Sequence, residues 1–570
     1  MAKWFLTMKK ADFGGIAEQF HISPIIARLI RNRDVTEPED IKLYLNGTIA
    51  DLYDGILMKG ADQAIAILME KLQFNAKIRV IGDYDIDGVN ATYILQEALG
   101  GLGADVDTDI PDRVRDGYGL NRTLIDRAVA DGIDTVITCD NGIAADAEIA
   151  YGKEKGLTVI VTDHHEIPYE EADGKKIYRL PPADAVVDPK QEGCEYPFKE
   201  LCGAAVAYKL MEALYEAMGQ DAEDIDYLME NVAIATVGDV MDLTGENRIF
   251  VKQGLEMLKR TGNPGLRALM ECTNIRPQNL SAYHIGFVLG PCMNASGRLD
   301  TAKRTLALLN ASTQREAAML AGDLKALNDS RKEMTERYVE EAVQLVENTD
   351  LKKDKVLVLY LPDCHESIAG IVAGRLRERF YKPAFVLTKA EEGVKGSGRS
   401  IESYHMYKEL NRCSMYLTKF GGHKMAAGLS MEETSIDAFR KMINERTTLT
   451  ESDLEEKVSI DMQLPLEYVT NQLVEELELL EPFGKGNRKP LFAEKNLKVL
   501  QPRIIGKNAN VLKMKVENER GFKMDAVYFG EVQECLDCIL KKETMAFTFY
   551  PSINEYMGHQ TLQITIVNYQ

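Results

Sequence analysis

Short apolar runs alternate with longer amphipathic stretches through the first half of the chain. Lys77 to Ile81, Ala104 to Asp109, Thr135 to Thr138, Leu157 to Val161 and Ala185 to Val187 read as strands. Between them Ala61 to Phe74, Val89 to Leu99, Leu124 to Ala130 and Ala144 to Lys155 carry helical spacing. Strand and helix in regular alternation predict a doubly wound α/β domain with a parallel sheet. A largely helical region follows, with Asp239 ending the apolar stretch Ala233 to Asp242. Asn294 to Arg298 is expected just after a Gly-Pro turn.

Thr313-Gln314-Arg315-Glu316 has the form of a capping box opening a long helix. Its stripe of Leu320, Leu324, Leu327, Met334 and Tyr338 reads as packing. A second α/β unit begins near Lys355, with strands at Val356 to Tyr360 and Ala384 to Leu387 around a helix at Ile368 to Phe380. The next segments, Gly396-Ser397-Gly398-Arg399-Ser400 and Gly421-Gly422-His423, are expected to be loops whose amides can form an anion nest. Neither ends in Gly-Lys-Ser/Thr, so triphosphate hydrolysis is not supported.

The tail changes character. Leu491 to Leu500, Asn510 to Val516, Phe522 to Tyr528, Met545 to Tyr550 and Thr561 to Val567 read as short strands, with one helix near Gln533 to Leu540. That count fits a small barrel of the oligonucleotide-binding (OB) kind. Before all of this, up to about Gly55, small helices start at Ser23-Pro24 and Glu37-Pro38 and carry no evident chemistry.

Composition narrows the picture. A chain of 570 residues with 45% apolar residues suggests three or four well-filled domains. With no apolar run of membrane-spanning length and no signal-peptide pattern, a cytoplasmic protein is expected. Nine cysteines spread irregularly do not form a disulfide framework, and Cys535-Leu-Asp-Cys538 lacks the second pair a zinc site needs. The net charge of −21 seems to disfavour nucleic acid, but the sign is not uniform. Lys485, Arg488, Lys489, Lys495, Lys498, Arg503, Lys507, Lys513 and Lys515 fall on the barrel's first strands, where Phe492, Phe522, Tyr528 and Phe529 are candidate stacking faces. Solvated residues and a barrel core are the plainer readings of these two features.

The candidate chemistry lies just past the strands. Asp83-Tyr84-Asp85-Ile86-Asp87-Gly88, Asp140-Asn141-Gly142 and Asp163-His164-His165 each follow one, at the edge where an open parallel sheet binds ligands. A lone Asp there is ordinarily a turn former or helix N-cap. Several crowded together are costly to desolvate without a cation, and oxygen donors with imidazole suit manganese or magnesium. Asp239 closes a helix, where a carboxylate opposes the dipole, and so joins the candidate ligands.

These motifs resemble the DHH phosphoesterase superfamily. With Ile110 to Leu120, Asn294 to Arg298, Gly396 to Ser400, Gly421 to His423 and Pro482-Phe483-Gly484-Lys485-Gly486-Asn487, the chain is similar to the RecJ family from about Ile78 onward. Beyond the N-terminal helical segment (1–55), the resemblance implies a DHH catalytic domain (56–310), a connecting helix (311–350), a DHHA1 domain (351–452) and an OB domain (453–570). It further implies 5′→3′ hydrolysis of single-stranded DNA to 5′-mononucleotides, in DNA repair and recombination. Two divalent cations, Mn2+ or Mg2+, would sit on Asp85, Asp87, Asp140, His164 and Asp239, with Asp83 and His165 as supporting catalytic groups. Arg113, Asn294, Arg298, Ser397, Arg399 and His423 would contact the strand. A monomer is expected, with a single-strand binding protein and a RecQ-type helicase as working partners and no membrane. The alternative is a DHH-type phosphodiesterase for short oligonucleotides or cyclic dinucleotides, which would not need the barrel. A catalytically silent DNA-binding scaffold has no reason to keep crowded carboxylates.

Overall fold

The computed structural model describes residues 2–113, 117, 119–172, 175–506, 508–556 and 558–570. Tyr118 of the Ile110 to Leu120 motif and Lys507 of the basic strip lie outside them. By its contacts the chain divides into two units, one of residues 1–4, 298–300 and 325–458, the other of 5–297, 301–324 and 459–570.

In the larger unit, five parallel strands form one sheet in the order Asp105–Asp109, Lys77–Gly82, Thr135–Cys139, Thr158–Thr162, Ala185–Val187. Numbered along the chain, the order is 2-1-3-4-5. The crevice of such a sheet opens between strands 1 and 3, where connections leave to opposite sides. Three of these strands are buried nearly throughout, as continuous apolar runs covered on both faces must be. An exposed hairpin, Tyr169–Ala172 with Lys175–Tyr178, interrupts the expected alternation. It lacks a strand's apolar bias and left no mark in the pattern.

Asn294 to Arg298 is not a post-turn loop. Ala282 to Leu299 is one unbroken helical run in which the π-helical turn Ile285–Leu289 stands directly before Pro291, so the wider turn accommodates a proline that has no N–H to give the turn before it. The turn signal of Gly290-Pro291 is therefore overridden.

The same unit contains the C-terminal barrel. Strand Phe492–Ile505 pairs with both Val511–Glu517 and Met545–Tyr556, while Lys523–Tyr528 runs parallel to His559–Tyr569, closing five strands. Its core is shared with the opening segment, since Ile26, Leu29, Ile30, Ile41 and Tyr44 pack with Leu466, Phe492, Phe547 and Phe549. Phe492 is thus a core residue and no stacking face, whereas Phe522 and Phe529 are exposed.

In the smaller unit a mixed sheet runs Lys419–Gly422, Ala426–Met431, Val394–Arg399, Ala384–Lys389, Leu357–Tyr360. The two glycine-rich segments expected as loops are strands here. Gly396 to Arg399 pair with neighbours on both sides, which consumes the amides an anion nest would need. The glycines serve packing: a Cβ at Gly396 would lie 2.4 Å from Leu387 Cδ2, and one at Gly398 2.5 Å from Met406 Sδ. The long helix spans Gln314–Asn348, and Thr313 Oγ1 accepts from the Glu316 amide at 3.3 Å. Among the described residues no helix is long and apolar enough to cross a membrane.

Candidate metal centre

Strand register builds the site. Gly82 lies opposite Cys139, Cys139 opposite Thr162, and Thr162 opposite Val187. The next residues, Asp83, Asp140, Asp163 and Asp188, therefore stand in one row along the carboxyl edge, at roughly the 4.8 Å strand spacing. Asp188 was overlooked in the sequence, although it follows a recognised strand just as the other three do. All four are buried.

Local devices aim the remaining groups at this row. Asp85 caps the helix Ile86–Gly101, its Oδ1 accepting from the Asp87 and Gly88 amides at 2.9 and 3.1 Å. The helix starts so close to the strand that a Cβ at Gly88 would meet the Asp83 backbone nitrogen at 2.5 Å. Asp87 accepts from the Gly203 and Ala204 amides at 2.7 and 2.8 Å, the opening of a second helix, Gly203–Ala217. A helix N-terminus is the favourable place to hold a buried carboxylate. Asp140 adopts a left-handed backbone with φ of 58°, strain of the kind found at functional sites. Asp239 arrives as the C-cap of the helix Met229–Gly238.

Three overlapping groups have donor atoms mutually within 4.8 Å: Asp83, Asp85 and Asp140; Asp87, His164 and Asp239; Asp140, His164 and His165. His164 Nε2 lies 3.1 Å from Asp140 Oδ1 and 3.5 Å from Asp87 Oδ2. Asp83 and His165 are thus as near the centre as the five expected ligands. Asp163, the first residue of the DHH motif, is instead the organiser. It accepts from the amides of Ile143, His164 and His165 and from His165 Nδ1 at 2.7 Å.

The electrostatics follow from crowding. Burial and then the Asp85 charge push Asp87 up to about 7, and burial with Asp87 and Asp85 pushes Asp239 up to about 8. Asp83 and Asp140 rise for the same reasons, burial first and carboxylate neighbours second. Burial likewise takes Asp188 to about 8. Burial would raise Asp163 too, but the hydrogen bond and charge of His165 hold it below its ordinary value. His165 gains in turn: although burial opposes it, Asp163 raises it to about 9. Burial and the His165 charge lower His164 to about 3, leaving the neutral imidazole a metal requires. Carboxylates driven toward protonation beside a neutral imidazole form a cluster that a divalent cation relieves. Cys139 and Cys202 lie alongside, but burial raises both thiols, which leaves oxygen and imidazole as the donors.

The residues expected to contact substrate are spread over both units. In the larger one, the Arg113 guanidinium lies 4.9 Å over the Tyr84 ring, and Asn294 Oδ1 accepts from the Ile86 amide at 2.9 Å. Asn294 thereby fixes the start of the helix that carries Asp87. In the smaller unit, Arg298 Nη1 donates to the Ser367 carbonyl at 3.0 Å, and Arg399 lies against Gly370, so both guanidinium groups meet the first turns of helix Glu366–Phe380. Ser397 is half-buried on the same strand as Arg399, and His423 is exposed beyond Lys419–Gly422. The Pro482 to Asn487 segment also gains a place: Leu243 N donates to the Lys485 carbonyl at 2.8 Å, and Lys485 Nζ lies 3.2 Å from Asp242. This sets it against the loop that follows Asp239, a contact between residues more than two hundred positions apart.

A parallel sheet with this edge defines a DHH-type phosphoesterase domain, and residues 77–236 match the model of the DHH family, N-terminal domain. Residues 353–448 match the DHHA1 domain and residues 460–568 the RecJ OB domain. The chain is 37% identical to the single-stranded-DNA-specific exonuclease RecJ of Bacillus subtilis, over 97% of this chain and 68% of that protein. With the exonuclease of the same name from Salmonella typhimurium it shares 35% identity, over 96% of this chain and 95% of that one. The solved structure of RecJ in complex with Mn2+ from Thermus thermophilus superposes with a TM-score of 0.84 at 28% identity, covering 100% of this chain and 79% of that one. The chain belongs to the RecJ family.

Proposed function

We propose that this protein is a metal-dependent exonuclease specific for single-stranded DNA, hydrolysing phosphodiester bonds from the 5′ end to release 5′-mononucleotides in DNA repair and recombination. The observation that carries the reading is the convergence of Asp83, Asp87, Asp140, His164 and Asp239 at the crevice of the parallel sheet, in a chain whose relatives are named single-stranded-DNA-specific exonucleases.

Asp85, Asp87, Asp140, His164 and Asp239 would hold two divalent cations, Mn2+ or Mg2+. When bound, such ions lower the pKa of a water and brace the scissile phosphate. The chain does the rest. Asp163 engages His165 Nδ1 and favours its protonated form, so Nε2 is left to donate to the departing 3′-oxygen. Asp83 and Asp85 order the far side of the cluster. Arg298 and Arg399, at the opening of helix Glu366–Phe380, take a phosphate of the strand, with Arg113, Asn294, Ser397 and His423 as further contacts. We place the enzyme in the cytoplasm, as a monomer working with a single-strand binding protein and a RecQ-type helicase.

The test is digestion of a long single strand labelled at either end, by the parent and by Asp140→Ala. Mononucleotides appearing first from the 5′ label, and absent with the variant, support the reading. Activity confined to dinucleotides would move the assignment to a short-oligonucleotide phosphodiesterase, for which the OB domain at 460–568 has no use.

A further inference from the structure

A cavity of about 620 Å³ opens in the larger unit, lined by the far ends of two helices that meet at the metal centre. Helix Ile86–Gly101, which carries Asp87, contributes Tyr93 and Glu97, and helix Met229–Gly238, which delivers Asp239, contributes Glu230 from its first turn. At about 1.5 Å per residue, Glu97 lies roughly 15 Å along its helix from Asp87, and Glu230 roughly 14 Å from Asp239. The floor is polar and incompletely paired. Glu230 is 4% exposed, and its Oε1 accepts from Thr261 Oγ1 at 2.8 Å, while no described residue donates to Oε2. Tyr93, 5% exposed, accepts from Asn263 Nδ2 at 3.1 Å and has no acceptor for its own proton among the described residues. A buried carboxylate oxygen without a donor is costly, and such atoms are rare in native proteins.

The charges point to a cationic occupant. Burial raises Glu97, and burial takes Glu230 up to about 7, although the Thr261 hydrogen bond and the Arg267 charge pull the other way. Both carboxylates also press on the phenols of Tyr93 and Tyr227, which burial and these charges raise together. Four acidic groups thus share one space. Arg260 also lines it, but is exposed and pairs with neither carboxylate. A positive charge between the two would favour the ionised form of both. The remaining wall selects the kind of cation. The Tyr227 ring is 48% exposed, and Met257 and Pro264 line the same space. Aromatic and apolar faces suit methylenes and ammonium groups, the latter by cation–π contact, and do not supply the oxygen shell of a metal ion.

We infer that this cavity binds a linear diamine, one ammonium donating to Glu230 Oε2 and the other to Glu97, with the methylenes between them lying against Tyr93 and Tyr227. Such a ligand ties the helix of Asp87 to the helix of Asp239 at the ends away from the metals. Its binding needs no DNA and no hydrolysis, so it stands or falls apart from the exonuclease reading.

The test is calorimetric titration of 1,4-diaminobutane into the full chain saturated with magnesium, which keeps the amine from the carboxylates of the metal centre. The parent should take up one equivalent. Glu230→Gln, which can still accept from Thr261, should weaken the binding roughly 10- to 150-fold, the worth of a hydrogen bond to a charged group. Tyr227→Leu, at a half-exposed position, should weaken it roughly 2- to 30-fold through the lost cation–π contact. 1,4-Butanediol, of the same length but uncharged, should give no binding heat. The thermal midpoint without ligand checks that each variant folds, and if Glu230→Gln melts early, Tyr227→Leu decides. A parent that takes up no diamine, one that takes up the diol equally well, or folded variants that bind the diamine as tightly as the parent would overturn the site.

Discussion

Stripping the protein of divalent cations should make its stability fall as pH rises from 6.5 to 9, and the structure gives the size of the effect. A group whose pKa is raised on folding binds more protons in the folded state, so stability is lost with rising pH until the folded pKa is passed. Asp188, fully buried and raised to about 8, is still losing stability between pH 6.5 and 8. That is about 1.5 pH units at roughly 1.4 kcal/mol each, or about 2 kcal/mol. Asp239, raised to about 8 by burial and by the charges of Asp87 and Asp85, acts in the same direction. His165 contributes fully below its ordinary value of 6.5 and loses this as pH rises through about 9, but its side chain is 44% exposed and solvent screens part of the effect. His164 and Asp163, both lowered, change nothing in this window because their contributions are complete by pH 6.5. The part from Asp188, Asp239 and His165 is on the order of 2–4 kcal/mol, which at about 2 °C per kcal/mol for a large domain lowers the midpoint by roughly 4–8 °C, and the raised Asp83, Asp87 and Asp140 add to the fall in the same direction. Thermal unfolding in chelator across this range measures it, with saturating magnesium as the reference in which the carboxylates that hold the ions stay ionised and only the Asp188 part of the slope remains. Asp188→Asn should remove about 2 kcal/mol of the fall. A midpoint in chelator that is flat or rising from pH 6.5 to 9 would refute the electrostatic argument.

Three other outcomes follow from the same geometry. Asp140→Ala should lower activity by more than the roughly 100-fold typical of losing a metal's outer partner, and isothermal titration with manganese should show weakened binding. Asp163→Asn removes the charge that holds His165 near 9, so the alkaline limb of the pH–rate profile should move toward 6.5. Loss of charged hydrogen bonds should also cost roughly 2–3 kcal/mol in denaturant unfolding. Gly88→Ala drives a methyl to 2.5 Å from the Asp83 backbone, which overpacking rules put at roughly 1–3 kcal/mol; an unchanged unfolding midpoint and metal affinity would count against the close approach.

Much of this molecule is written locally. Ser23 and Asp85 cap their helices as their residue types direct, and the apolar runs at Lys77, Thr135 and Leu157 become buried strands within a residue or two. The position of a carboxylate just past a strand is also a local property, which is why Asp83, Asp85, Asp140 and the DHH triplet stand out before any folding. The same rule applied to Ala185–Val187 would have found Asp188. Strand register and long-range packing decide the rest. Only the alignment of Gly82, Cys139, Thr162 and Val187 turns separate aspartates into a row. Gly396 and Gly398 look like turn residues because glycine permits turns, yet they are glycines because Leu387 and Met406 leave no room for a Cβ. Gly290-Pro291 looks like a turn, but the helix runs through it behind a π-helical turn. The opening helices show no chemistry because their role is to share the barrel's core and to clamp Asn487. Residues that answer to partners hundreds of positions away carry no local signature, since side-chain chemistry fixes what a residue can do and packing fixes what it meets.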